Sequence, residues 1–356
     1  MMSPNMLKAW LTSVVVANSY AFNTSGRIDT HLHALPPAYI EAVNAAGGDP
    51  SGFPTPFWSP EFAISEMDEF GTAFGVLSIS TPGVPIAGTG QAGRELARTL
   101  NTNLANYSTA PAYDGRFGFF GALPDWRDID GTIAEIEHLY QHQPSCVGVG
   151  VYSSYGGMTP GNDTFRPIWA ALQKHRALVF LHPGVLDVVP MRLGHGFPQP
   201  TLEYPLATTR AAVDLVISGT FRAHPDIDVI LPHAGGTIPF IADRVLFGIA
   251  SPATQGTSNV TADEAAEDLK RFYLDLALVT SPAQFNGILD FTSPDKIVFG
   301  SDSPYRPESG IADVIRDYET FVKTNVRGSL IAPDVLRSNS LELLAKHSRG
   351  YGGIPF

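Results

Sequence analysis

Short runs of β-branched and aromatic residues alternate along the chain with longer stretches of helical periodicity. The apolar runs predict strands at 27–31, 74–80, 116–123, 147–152, 177–182, 228–233, 272–277 and 296–301. Between them the spacing predicts helices over 59–69, 92–108, 129–142, 164–175, 208–223, 239–247 and 262–271. A stretch at 332–346 reads as a final covering helix. Eight strands separated by helices point to the α/β class and to a parallel sheet closed into a (β/α)₈ TIM-type barrel. An open, doubly wound sheet is the alternative. Two segments exceed a minimal barrel. Residues 47–60 read GGDPSGFPTPFWSP, and residues 184–205 form a second long loop after the fifth strand. Inserted loops on the C-terminal face of a barrel are lid or pocket-wall candidates.

No sequence repeat and no long polar linker divides the chain, so 22–356 reads as one domain. Its 356 residues are 44% hydrophobic, enough for a large core and too apolar for disorder. Lys plus Arg number 23 against 35 Asp plus Glu, for a net charge of −12 and no basic block. Nucleic acid and anionic membrane surfaces are thereby poor partners. An anionic substrate would need a local cation, either a metal or a placed arginine. Cys146 is the single cysteine and lies in an apolar run, which reads as a buried structural thiol.

The N-terminus raises a separate expectation. Lys8 precedes an apolar run from Ala9 to Ala17, followed by small residues up to Ala21. That is the layout of a secretory signal peptide over residues 1–21, too short to span a membrane. Asn-x-Ser/Thr sequons follow at Asn23, Asn106, Asn162 and Asn259. A secretory or extracellular address is expected, with a cytoplasmic one as the alternative.

The chemistry gathers at strand ends. In Asp29-Thr30-His31-Leu32-His33 the two histidines are at i and i+2, on one side of a strand and about 7 Å apart along it. Two imidazoles so placed can converge on one ion. The fifth strand closes on Leu181-His182-Pro183, the sixth on His233-Ala234-Gly235-Gly236 and the eighth on Gly300-Ser301-Asp302. In a barrel these ends crowd around one point. His31, His33, His182 and Asp302 would offer three nitrogens and one oxygen with room for water, as a catalytic ion requires. The chain has six lysines and none near the end of the fourth strand, which argues against a second ion bridged by a modified lysine. His138, His142, His175, His224 and His347 read as solvated or helix-end residues. His195 lies in the second long loop.

The motifs Asp29–His33, Leu181-His182-Pro183, His233–Gly236 and Gly300-Ser301-Asp302 resemble those of the amidohydrolase-related decarboxylases, whose founding member acts on α-amino-β-carboxymuconate-ε-semialdehyde. The resemblance runs from about Gly26 to the C-terminus. It implies an amidohydrolase-like barrel in which His31, His33, His182 and Asp302 bind one divalent ion, Zn²⁺ or Mn²⁺, with no organic cofactor. His233 would be an acid/base or substrate contact, and Asp29 would steady the histidines. Arg244 would reach into a neighbouring subunit and hold a substrate carboxylate, which implies a homodimer. Ala63 stands where the semialdehyde decarboxylases carry a substrate-binding arginine, which points to an aromatic acid instead. Phe53, Phe57, Trp58 and Tyr152 are then candidate pocket-lining residues. Within the family the chain looks most like the fungal 6-methylsalicylate decarboxylases, through its length, its His-Leu-His form and the Leu35-Pro36-Pro37 that follows.

The resemblance therefore implies non-oxidative loss of CO₂ from a 2-hydroxybenzoate-type acid, with 6-methylsalicylate giving m-cresol as the expected case. Asp302 and His233 are the candidate proton donors. A lactonase using the same scaffold and metal is the alternative enzyme. A metal- or ligand-binding protein without turnover is the alternative from another class.

Overall fold

Eight parallel strands lie side by side in chain order: β1 (Arg27–Ala34), β2 (Thr72–Ile79), β3 (Phe117–Gly121), β4 (Cys146–Tyr152), β5 (Leu178–His182), β6 (Asp228–Leu231), β7 (Tyr273–Asp275) and β8 (Ile297–Val298). They belong to a computed structural model that describes residues 26–347 apart from 114 and 307. The expected signal segment at 1–21 lies outside the described residues. The helices are α1 (Pro37–Ala45), α2 (Pro60–Glu69), α3 (Gln91–Thr109), α4 (Ile129–His142), α5 (Arg166–Lys174), α6 (Glu203–Ile217), α7 (Thr220–Ala223), α8 (Ile238–Ala250), α9 (Ala262–Leu269), α10 (Pro282–Phe291), α11 (Glu308–Thr324) and α12 (Pro333–His347). The expected barrel is the fold observed.

β8 is only two residues long, yet the ring closes. Thr30 N donates to Phe299 O at 3.0 Å, Asp302 N to His31 O at 2.9 Å and His33 N to Ser303 O at 2.8 Å. The chain beyond β8 thus runs along β1 and seals the seam that a sheet edge would leave open. Inside the ring, Ile28, Phe74, Phe120, Phe180, Ile230 and Val298 fill the lower barrel, with Phe120 stacked on Phe180 at 5.2 Å. A larger apolar layer lies between the strands and the outer helices and includes Leu77, Leu100, Trp126, Trp169 and Leu215. Cys146 is buried there and contacts Gly148 O.

Helix starts follow local chemistry. Ser59 caps α2 by accepting from Phe62 N at 3.1 Å, with Pro60 in the first turn. Thr261 with Glu264 and Ser281 with Gln284 form capping boxes on α9 and α10. The single helix expected over 208–223 is instead two, because Gly219 takes φ 73° between α6 and α7. The helices α10 and α11 fall in stretches with no helix in the pattern reading. The strand expected over 296–301 shortens because its later residues serve the closing seam.

The last helix is tied to the floor of the barrel. Asp228 at the start of β6 accepts from Lys346 Nζ at 2.6 Å and His347 Nε2 at 2.7 Å, and His347 Nδ1 lies 2.6 Å from Arg176 O. Burial opposes ionisation of Asp228, but the hydrogen bonds and charges of His347 and Lys346 outweigh it and lower its pKa to about 2. A depressed folded pKa means that this tether is at full strength above about pH 4 and is lost as pH falls through about 2. Asp228→Asn is expected to cost about 1–3 kcal/mol in urea unfolding near neutral pH. The deficit should shrink as the pH approaches 2, and an equal deficit at both pH values would contradict the tether.

Candidate metal centre

The barrel interior is layered along each strand by simple alternation. On β2 the inward line runs Phe74, Val76, Ser78; on β5 it runs Leu178, Phe180, His182; on β7, Tyr273 is followed by Asp275. From Val298 on β8 the same period leads to Gly300 and Asp302. Apolar side chains fill the bottom, and polar ones are left at the C-terminal rim. β1 needs one extra device. Ile28 belongs to the interior, and three residues later His31 also faces inward, with its ring 4.9 Å from Phe180. Strict alternation would turn His31 outward. A register shift between Asp29 and Leu32 changes the parity and brings both His31 and His33 inside.

The structure brings His31, His33, His182 and Asp302 together, all buried, with one donor atom from each lying within 4.8 Å of the others. Asp302 Oδ1 is 3.2 Å from His31 Nε2 and 3.1 Å from His33 Nε2, and those two nitrogens are 3.1 Å apart. The His182 ring centre is 4.8 Å from that of His33. The other ring nitrogen of each histidine is anchored. His31 Nδ1 donates to the Asp275 carboxylate at 2.8 Å. His182 Nδ1 faces Pro183 O at 2.9 Å and Thr81 Oγ1 at 3.1 Å, while the Thr81 hydroxyl donates to Pro183 O. Ser78 Oγ donates to Leu32 O at 3.2 Å and so accepts from His33 Nδ1 at 3.0 Å. Each partner fixes a proton on Nδ1, so Nε2 is the nitrogen that each ring turns toward the shared point where a cation can bind.

The electrostatics agree with a cation site. Burial opposes charge on His31, yet the carboxylates of Asp275 and Asp302 raise its pKa to about 10. Burial also opposes ionisation of Asp302, but the charge of His31 and the hydrogen bonds of His31 and His233 hold its carboxyl well below the usual range. Burial keeps His33 and His182 neutral, and the neighbouring histidines add to that. The two carboxylates that draw a proton to His31 would equally draw a divalent ion to its Nε2. Three imidazoles and one carboxylate are donors that fit such an ion.

Asp29 steadies the pair through the main chain. Its Oδ1 accepts from His31 N at 2.9 Å and Ser301 N at 3.2 Å, and burial raises its pKa to about 6. Gly300 is required by contact: a Cβ there would lie 2.7 Å from His31 Cβ and 3.2 Å from Asp275 Cγ. His233 and Asp302 both take left-handed φ, 54° and 62°. Such backbone is uncommon in residues with side chains and clusters at functional sites. His233 Nε2 lies 3.4 Å from Asp302 Oδ2, and His233 N donates to Asp275 Oδ1 at 2.9 Å. Its Nδ1 is buried with no partner among the described residues.

The cluster opens into a cavity of about 730 Å³, and His182, His233 and Asp302 form its inner wall. Its apolar wall includes Phe53, Phe197, Tyr204, Phe240, Leu278 and Tyr305. Both long loops supply wall residues, as expected. Gln199 joins them: its N–H donates to Ser51 O at 3.1 Å, and its amide pairs with Leu186 N and O, each at 2.9 Å.

Several expected pocket residues lie elsewhere. Phe57 is 74% exposed and packs against Phe62. Trp58 faces a separate groove with Leu35, Ile40 and Tyr107. The chain is by then approaching α2, which starts at Pro60 on the outer layer, and both rings are carried away from the barrel mouth. Tyr152 is buried behind the wall, where its hydroxyl donates to Ile79 O at 3.0 Å. Ala63 is packed in the outer core, so the residue type there does not shape this cavity. Arg244, expected at a neighbouring subunit's site, is exposed on α8, and His195 is exposed on the second loop; neither lines this cavity. Asp275, Ser78 and Thr81 escaped the sequence reading. Asp275 had a signal, a lone carboxylate inside an apolar strand; the hydroxyls had none.

Comparison with known proteins places these features in context. Residues 28–328 match the model of the family described as amidohydrolase. A protein named decarboxylase yanB from Aspergillus niger is 34% identical over 336 residues, covering 90% of this chain and 88% of the relative. A 6-methylsalicylic acid decarboxylase from Penicillium expansum is 33% identical over 287 residues, covering 80% of this chain and 87% of its own length. Among solved structures, a 5-carboxyvanillate decarboxylase from Novosphingobium aromaticivorans, complexed with manganese and a nitrobenzoic acid, superposes with a TM-score of 0.76. It is 18% identical and covers 91% of this chain and 97% of its own.

Asp275→Asn is expected to weaken divalent-ion affinity about 10–100-fold by loosening His31, with the melting transition still cooperative. Metal titration followed by calorimetry checks this, and unchanged affinity would remove Asp275 from the site.

Proposed function

The chain belongs to the amidohydrolase family, and we propose that it is a metal-dependent, non-oxidative decarboxylase of a small 2-hydroxybenzoate-type acid. Among such acids we propose 6-methylsalicylate, with m-cresol and CO₂ as products. The named activities of the fungal relatives support that choice, as does the apolar wall beside the cluster. The reading is carried by one observation: the two oxygens of Asp302 face different groups. Oδ1 faces the Nε2 atoms of His31 and His33, while Oδ2 faces His233, and both Asp302 and His233 line the cavity.

His31, His33, His182 and Asp302 would hold the ion, Zn²⁺ or Mn²⁺; three imidazoles favour the former, and the manganese-bound structural relative supports the latter. When bound, the ion supplies Lewis acidity and a fixed seat for the substrate's carboxylate and ortho oxygen. The carbon–carbon bond to the carboxylate breaks, CO₂ leaves, and the electron pair remains on the ring carbon. That carbon takes a proton that His233 Nε2 passes across Asp302 Oδ2, 3.4 Å away. Phe53, Phe197 and Tyr305 flank the ring and exclude water from the reacting face. No organic cofactor takes part.

We also propose a homodimer. Phe240, Arg244 and Phe247 form an exposed stripe on α8, with Phe240 and Phe247 at 64% and 78% exposure. An apolar stripe of this kind supports a subunit interface. A secretory address is proposed as well, supported by the exposure of the sequon residues Asn106, Asn162 and Asn259. N-terminal sequencing of the protein from its own host tests it, and an intact Met1 would overturn it.

Metal-loaded protein is expected to release CO₂ from substituted salicylates. His233→Ala should lower turnover about 10²–10⁴-fold with metal content preserved, and Asp302→Asn should abolish it. If no 2-hydroxybenzoate is consumed while lactones are opened, the decarboxylase reading fails. Phe247→Asp should convert the dimer to monomer in sedimentation; a native chain that sediments as a monomer would rule the dimer out.

A further inference from the structure

A chain of net charge −12, with Asp49 and Asp302 on the cavity wall, is a poor host for an organic anion unless a cation is built in. Among the described residues lining the cavity, Arg306 alone carries a guanidinium or ammonium group. It lies four residues after Asp302. Tyr305, between them, sets its ring edge-on to His33 at 5.2 Å, which ties this loop to the metal cluster. Gly310 makes room for the arginine's stem: a Cβ there would lie 3.0 Å from Arg306 Cδ and 3.6 Å from its Nη1. Other arginines of the outer layer are spent on carboxylates, as in Arg94–Asp128, Arg98–Glu135, Arg127–Asp125 and Arg222–Asp268. Arg306 is half-buried and has no ion-pair partner among the described residues. A guanidinium drawn partly out of water, supported along its stem and with no counter-charge among the described residues is poised for an anionic ligand.

We propose that Arg306 recognises the anionic group of the substrate, so that the same chain supplies both the metal ligands and the anion-binding cation. This rests on the reading that the substrate is a carboxylate. It differs from the resemblance-based expectation that Arg244 of a partner subunit holds that group. Arg306 is a specificity residue rather than a bond-making one. As CO₂ departs, charge moves from the carboxylate to the ring, so a cation seated on the carboxylate acts on binding more than on the chemical step.

The test uses the metal-loaded full chain and two ligands of nearly equal shape, salicylate and its neutral amide, salicylamide. Arg306→Ala should weaken salicylate binding about 10–100-fold in calorimetry and leave salicylamide unchanged. Arg306→Lys should recover most of the loss, because charge rather than packing is at stake. In turnover the alanine variant should raise KM by a similar factor, with kcat within a few-fold of native. Equal weakening of both ligands would reduce Arg306 to a structural residue and overturn the proposal. So would a charge-selective loss in Arg244→Ala but not in Arg306→Ala. If the native chain binds salicylate through Arg306 yet releases no CO₂, decarboxylation fails while the assignment of Arg306 stands.

Discussion

The hydrogen bond from Asp302 N to His31 O, 2.9 Å long, is the contact on which the site depends. It is part of the seam where the chain beyond β8 runs against β1. The same seam closes the sheet and sets the carboxylate of Asp302 against the Nε2 atoms of His31 and His33. Barrel closure and ligand assembly are therefore one event. Residues about 270 positions apart in sequence meet because a parallel sheet closed on itself makes its first and last strands neighbours.

The interior adds a second constraint. Alternation sends every other side chain inward, and the lower layers must be apolar to pack. Polar groups are tolerated only at the rim, where they find partners in one another. Asp275, Ser78 and Pro183 O each take an Nδ1 proton, and no imidazole is left with its ligating nitrogen turned away. This arrangement fixes ring orientation before any ion arrives. The loops then set the space above: the Gln199 clasp holds the 184–205 segment to the 47–60 segment, and Arg306 brings the one cation of the described wall to an otherwise acidic mouth.

Much of this was legible in one dimension. The alternation of strand and helix periods gave the barrel, because each period reflects which face of an element is buried. The ligands His31, His33, His182 and Asp302 were legible because each follows an apolar run, and strand ends converge in a barrel. The aromatic residues of the first loop were less so. Phe53 reaches the cavity while Phe57 and Trp58 do not, because beyond Phe53 the chain heads for the start of α2 at Pro60 on the outer layer. Asp275 and Ser78 meet the ligand histidines across more than 40 positions of sequence.

By itself the sequence determined the class of fold, the ligand types and the strands that carry them, since these follow from local periodicity and residue chemistry. Tertiary structure alone decided that His31 faces inward, through a register shift that no pattern of hydrophobicity announces. It also decided which nitrogen of each imidazole is free and which arginine meets the cavity. Those outcomes depend on where distant backbone lies, and backbone position is set by packing and ladder pairing of the whole barrel rather than by any segment of it.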